Sequence, residues 1–144
     1  MFEALGKVND PTSMRNNKLI NDITELFRLL SGVYVLDKKA TEEFLSIEFT
    51  VSDPLALLIL HHVSEAANLP LKSWARFEPG TKEAEQNLNE SVQYQFSCGG
   101  LPEANDKFCW LGANLTWQMY KLKVLTPEQE KTYCEKFGAQ SRSA

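Results

Sequence analysis

The run at positions 53–68 constrains the fold of this chain more than any other. It reads Asp-Pro-Leu-Ala-Leu-Leu-Ile-Leu-His-His-Val-Ser-Glu-Ala-Ala-Asn and is the most apolar stretch of the sequence. Asp53 can accept hydrogen bonds from the first free backbone N–H groups of a helix. Pro54 follows at a position where a missing N–H costs nothing. Wound at about 100° per residue, Leu55, Leu58, Ile59, Leu60, Val63, Ala66 and Ala67 form a broad apolar arc. His61, Ser64, Glu65 and Asn68 stand opposite. So wide an arc predicts the core helix of a domain, covered over most of its surface and closed by Leu69 and Pro70. At about sixteen residues it is too short, and too interrupted by polar groups, to span a bilayer.

Upstream, Leu19, Ile20, Ile23, Leu26, Phe27 and Leu30 recur at helical spacing, with Asn17, Lys18, Asn21, Asp22, Glu25 and Arg28 on the other side. This predicts a helix over 14–31, capped by Thr12 or Ser13 and stopped by Gly32. Glu25 and Arg28 are spaced to pair. Residues 33–36 are β-prone, and residues 37–41 are polar enough for a turn. From Phe44 to Val51 the pattern alternates, Leu45, Ile47, Phe49 and Val51 against Ser46, Glu48 and Thr50, as in a half-buried strand. The two runs are expected to pair as a hairpin lying on the 53–68 helix.

Residues 72–78 contain Trp74 and Phe77 without clean alternation and make a weaker strand. A turn at 78–81 uses Gly80, and 82–89 is a solvated loop or one short helix. Val92, Tyr94, Phe96 and Cys98 then alternate with Ser91, Gln93, Gln95 and Ser97 as a further strand, broken by Gly99 and Gly100. In 103–125 two apolar stripes run the full length: Phe108, Leu111, Leu115, Met119 and Leu122, and Trp110, Ala113, Trp117, Tyr120 and Val124. One helix is favoured there over two strands bent at 112–114. Thr126, Pro127 and Gln129 make a capping-box start for a last helix to about 137, closed by Gly138.

The order α-β-β-α-β-β-α-α predicts one α+β domain over 13–138, its helices packed on a mainly antiparallel sheet. Residues 1–12 are expected to be a flexible lead-in and 139–144 a frayed tail. This order, with the acidity of the chain, is loosely similar to that of small type III secretion chaperones. No motif residues carry the likeness, so it bears on architecture alone.

A chain of 144 residues buries a core without metal or disulfide help. Its net charge of −4 disfavours direct nucleic-acid binding, which needs a basic surface. The three cysteines, Cys98, Cys109 and Cys134, have neither zinc-pair spacing nor a disulfide framework. A reducing compartment, hence a cytoplasmic location, is the simplest reading. The first seven residues have no signal-peptide shape, and neither a membrane role, a metal nor a cofactor is indicated.

Few residues suggest chemistry. His61 and His62 point about 100° apart on a helix and cannot act on one atom. His62 falls inside the apolar arc and reads as a core histidine. His61 lies one turn from Glu65, yet the spacing of a metalloprotease histidine pair is absent. Cys98, before Gly99, could be a nucleophile beside free backbone N–H groups, but its alternation places it on the buried face. Cys109 reads as an inert core thiol, and Cys134 as partly exposed. The carboxylates of 42–43, 83 and 85, and 128 and 130 lie in polar, solvated segments.

The aromatic surplus is more informative, because Trp and Tyr left at a surface are usual anchors of protein interfaces. The favoured reading is therefore a non-catalytic protein-binding module. It would be an inhibitor, immunity protein or chaperone of a bacterial or phage system, occluding or escorting a partner. Trp110, Trp117 and Tyr120, with the acidic Glu83, Glu85 and Glu90, are its expected contact residues. The alternative is a small enzyme or ligand-binding domain with a pocket near His61, Glu65 and Cys98. A homodimer is compatible with the first reading.

Overall fold

A computed structural model describes residues 11–139 apart from 89 and 101. Its first helix, α1 (Pro11–Leu29), buries Leu19, Ile20, Ile23, Leu26 and Phe27, five of the six residues that set the predicted periodicity. Leu30, the sixth, is buried just beyond it. The helix begins earlier than the cap reading implies, so Thr12 and Ser13 lie inside its first turn. Gly32 does take a positive φ of 83°, and a Cβ there would meet Asp53. Of the predicted lead-in and tail, residues 1–10 and 140–144 lie outside the described residues.

Four strands follow: β1 (Val33–Ala40), β2 (Phe44–Val51), β3 (Lys72–Ala75) and β4 (Val92–Gly99). They form one sheet in the order β1-β2-β4-β3, every neighbouring pair antiparallel. The expected hairpin is present, but 37–40 continue β1 rather than turn. β1 is an edge strand, so Asp37, Lys38 and Lys39 can face water while their backbone pairs with Glu48, Ile47 and Ser46. A register shift between Val35 and Asp37 absorbs Leu36 as a bulge.

Inward-facing Leu45, Ile47, Phe49 and Phe96 are fully buried beneath α1. Phe27 meets Phe49 edge-on at 5.2 Å and Phe96 at 6.2 Å, and Tyr94 stacks on Phe49 at 5.9 Å. Such pairs contribute about 0.5–1.5 kcal/mol each beyond the area they bury. This cluster, not the 53–68 helix, is the centre of the domain.

That helix is α2 (Pro54–Ala66), and its start is as the sequence implies: the Asp53 carboxylate accepts from the Leu55 N–H at 2.9 Å. Its position is not. α2 packs on α4 (Glu103–Lys121) and only brushes β2, while α1 and α4 cover the sheet. The predicted arc is accordingly split. Ala56, Ile59, Leu60, Val63 and Ala67 are buried, but Leu55, Leu58, Ala66 and His62 are exposed. His62 is therefore no core histidine. Ser64, placed on the polar side by the sequence, is buried and donates to the His61 carbonyl at 2.8 Å.

Residues 103–121 form one helix, with Phe108, Leu111, Leu115 and Met119 fully buried. A short helix, α3 (Lys82–Gln86), occupies the polar connection between β3 and β4 and is capped by Thr81. The last helix, α5 (Pro127–Lys136), has both capping-box bonds: the Gln129 N–H donates to Thr126 Oγ1 at 3.1 Å, and the Thr126 N–H to Gln129 Oε1 at 2.9 Å. α5 lies against α4 at Gly112, where a Cβ would stand 2.6 Å from the Phe137 ring. Only glycine permits that approach.

α5 is also clamped to α1. The Lys136 ammonium is 3.5 Å from Asp22 and 3.4 Å from Glu25, and the Tyr133 hydroxyl donates to Glu25 at 3.4 Å. Glu25 thus reaches α5 instead of pairing with Arg28. Glu130, expected in a solvated segment, is 0% exposed and accepts from the Cys134 thiol at 3.5 Å. Cys134 is likewise buried, not partly exposed.

The clamp predicts an alkaline limit. Burial works against the charge on Lys136, but Asp22 and Glu25 outweigh it and hold the ammonium above its usual range. Burial first, then Glu25, pushes the Tyr133 hydroxyl up as well. Both groups bind their protons more tightly folded than unfolded. Their contribution is complete below the unfolded values, about 10 for Tyr and 10.4 for Lys, and is lost as pH rises through the folded ones. Thermal melts from about pH 9 to about pH 11.5 should show a falling midpoint, and Lys136→Met should flatten the fall. An equally steep decline in the variant would remove the clamp from this account.

Candidate docking surface

The outer side of α4 follows from its spacing. Glu103, Asp106, Trp110, Ala113, Trp117 and Lys121 fall within one broad arc of about 80°, opposite the buried Phe108, Leu111 and Leu115. Glu103 and Asp106 sit in the first turn, where carboxylates favour the positive end of the helix. Trp110 is 62% exposed, an unusual position for a side chain of its apolar area.

Trp110 forms the ridge between two depressions. One, of about 480 Å³, lies toward the end of α2 and is lined by Ala66, Ala67, Asn68, Glu103, Asp106 and Lys107 as well as Trp110 itself. The other, of about 190 Å³, lies toward α5 and is lined by Asp106, Cys109, Ala113, Phe137, Gly138 and Ala139. Asp106 borders both. Along the same helix, Asn114 Nδ2 donates to the Trp110 main-chain carbonyl at 2.8 Å and Cys109 Sγ donates to Asn105 Oδ1 at 3.6 Å. Burial first, then the Asp106 carboxylate, pushes the Cys109 thiol above its ordinary range, with Arg15 opposing. A thiol so placed is a weak nucleophile.

Trp117 and Tyr120 are half-buried and lean on each other, ring centroids 6.4 Å apart, with the Lys121 ammonium 5.4 Å above the Trp117 ring. They brace the α4 surface more than they offer it. Glu83, Glu85 and Glu90 are exposed on and after α3, and Glu85 and Glu90, with Leu88, line a depression of about 440 Å³. That loop shares no extensive packing with α4. Trp110 and the three glutamates therefore belong to different parts of the surface.

The alternative residues are not brought together. His61 and Glu65 are exposed on α2 and form no ion pair with each other, while Cys98 sits on β4 opposite Leu45 and donates only to the Gly99 carbonyl, at 3.6 Å. None of the three depressions above is lined by any of them. Among the described residues no cluster of three His, Cys, Asp or Glu could hold a metal ion. No helix among them is long and apolar enough to cross a membrane.

Sequence reasoning passed over Glu103 and Asp106. Their signal was present: positions 103, 106 and 110 follow i, i+3, i+7 spacing and share one helix face. No protein-family model, no curated protein and no solved structure matches the chain.

Proposed function

We propose that this chain is a non-catalytic protein-binding module that occludes or escorts a protein partner. Inhibitor, immunity or chaperone roles in a bacterial or phage cytoplasm fit that description. The carrying observation is Trp110, an exposed indole between two depressions. A partner segment would lay apolar side chains on either side of the ring. Glu103 and Asp106 at its border favour a partner with a basic residue beside those apolar ones, as does the net charge of −4. The carboxylates Glu83, Glu85 and Glu90 would steer a basic partner from a distance and contribute less once bound.

A buried tryptophan anchor is typically worth 2 kcal/mol or more when truncated, roughly 30-fold or greater in Kd. Trp110→Ala should therefore weaken the complex by at least that factor in isothermal titration, with the melting temperature nearly unchanged because the side chain packs little within the monomer. Trp117→Ala should behave oppositely, lowering stability more than affinity. A complex of wild-type affinity in Trp110→Ala would end the reading.

A further inference from the structure

The two depressions beside Trp110 differ in chemistry. The smaller, of about 190 Å³, is walled toward α5 by Ala113, Phe137 and Gly138. Asp106 is its single charged group among the described residues, and its size suits one aliphatic side chain. The larger, of about 480 Å³, is bordered on α4 by Glu103, Asp106 and Lys107, with Ala66 and Ala67 of α2 across from them. Glu103 and Asp106 are exposed, and neither they nor Lys107 form an ion pair among the described residues. Two carboxylates against one ammonium leave this side of the ridge negative.

We propose that the larger depression receives an arginine side chain of the protein partner. Its guanidinium lies on the Trp110 indole and is bonded to Glu103 and Asp106, while an aliphatic neighbour of that arginine fills the smaller depression. The inference rests on the docking role proposed above and names the side chains that role requires.

Three features of the surface select arginine. The first is charge, since two carboxylates without ion-pair partners at the rim of a concavity are complementary to a cation. The second is their spacing. Three residues apart on one helix face, Glu103 and Asp106 hold their Cβ atoms about 5–6 Å from each other. A guanidinium carries five N–H donors in one plane and can serve both at once, whereas an ammonium is a compact point of charge. The third is the exposed indole, the best aromatic surface for a cation and one on which a planar guanidinium stacks. The wall of Ala66 and Ala67 fits the arginine stem, which lies along apolar surface with its charge held at the rim. Lys107 is held by no ion pair and can swing aside. A nucleic acid, whose bases also stack on indole, would bring its phosphates against both carboxylates.

Selection of a phage-displayed random peptide library on the whole chain tests this without a known partner. Enriched peptides should carry an arginine close to an aliphatic residue and should lose binding to Trp110→Ala. The strongest of them, made synthetically, should bind a Glu103→Gln, Asp106→Asn variant about tenfold or more weakly, with the melting temperature of the variant nearly unchanged. Citrulline, the uncharged isostere of arginine, should cost the peptide a similar factor on the wild type and little on the variant, because the same bonds are already gone. Peptides that need Trp110 but carry no arginine overturn the inference and leave the docking role standing. So does a citrulline peptide that binds the wild type as tightly as its arginine parent. If no enriched peptide depends on Trp110, the inference falls, and the docking role loses its support with it.

Discussion

Phe27→Ala should lower the unfolding free energy by about 3–5 kcal/mol, the usual range for removing a buried phenylalanine. Phe27 is fully buried and links α1 to two strands through its edge contacts with Phe49 and Phe96. Both rings are held by the sheet, so neither can shift to fill the space. For a domain whose total stability is about 5–15 kcal/mol, that loss is a large share. Urea unfolding should show a lower midpoint at unchanged slope. A cost below about 1.5 kcal/mol, smaller than any ordinary Phe truncation, would mean that the cluster is not the centre of the core.

Asn16→Ala should cost about 2–4 kcal/mol without removing any apolar contact of note. Asn16 is fully buried on α1. Its Nδ2 donates to the Thr41 carbonyl at 2.8 Å, and its Oδ1 accepts from Asn105 Nδ2 at 2.8 Å. One side chain thus ties α1 to the β1–β2 turn and to α4. Truncation strands the buried Asn105 amide donor, worth about 1–3 kcal/mol when left unpaired away from water, and removes the bond to the carbonyl of Thr41, an exposed residue, which costs about 1 kcal/mol. The cycle with Asn105→Ala makes the test specific. Once Asn16 is gone, Asn105→Ala should cost much less than it does alone, because the stranded donor leaves with it. Strict additivity would show that the two amides do not act as a unit.

Local structure was legible where a residue type answers a local demand. Asp53 before Pro54 and the Thr126–Gln129 capping box follow from neighbouring backbone groups that must be satisfied, and each is present; the strand at 44–51 is present too, but Ser46 and Thr50, expected on its open face, are buried. What the sequence could not show is which element covers which. Periodicity states that Leu55 and Leu58 are apolar, but not that α4 reaches only one side of α2. The same limit explains Glu130, whose acidic neighbour Glu128 suggested a solvated face, while the α5 contact with α1 and α4 encloses it. It explains β1 as well, since the polar residues 37–39 extend a strand only because β2 continues beside them.

The candidate surface divides along the same line. An aromatic surplus near 110–120 could be read from spacing alone. The separate fates of Trp110, which stands free of the core, and of Trp117, which leans on Tyr120, are set by tertiary packing that spacing alone does not state. Likewise, Glu85 and Glu90, on the β3–β4 connection, line a different depression from those beside Trp110.

The most direct test of the docking role is the fluorescence of Trp110 as the sole tryptophan, in a Trp74→Phe, Trp117→Phe background, titrated with a protein partner recovered in stoichiometric complex. Free in solution, its emission should be that of an indole in water. On binding it should shift to shorter wavelength and lose its quenching by soluble iodide, because the partner's apolar side chains take the place of water around the ring. A complex that forms with the Trp110 emission and quenching unchanged would contradict the assignment of this surface.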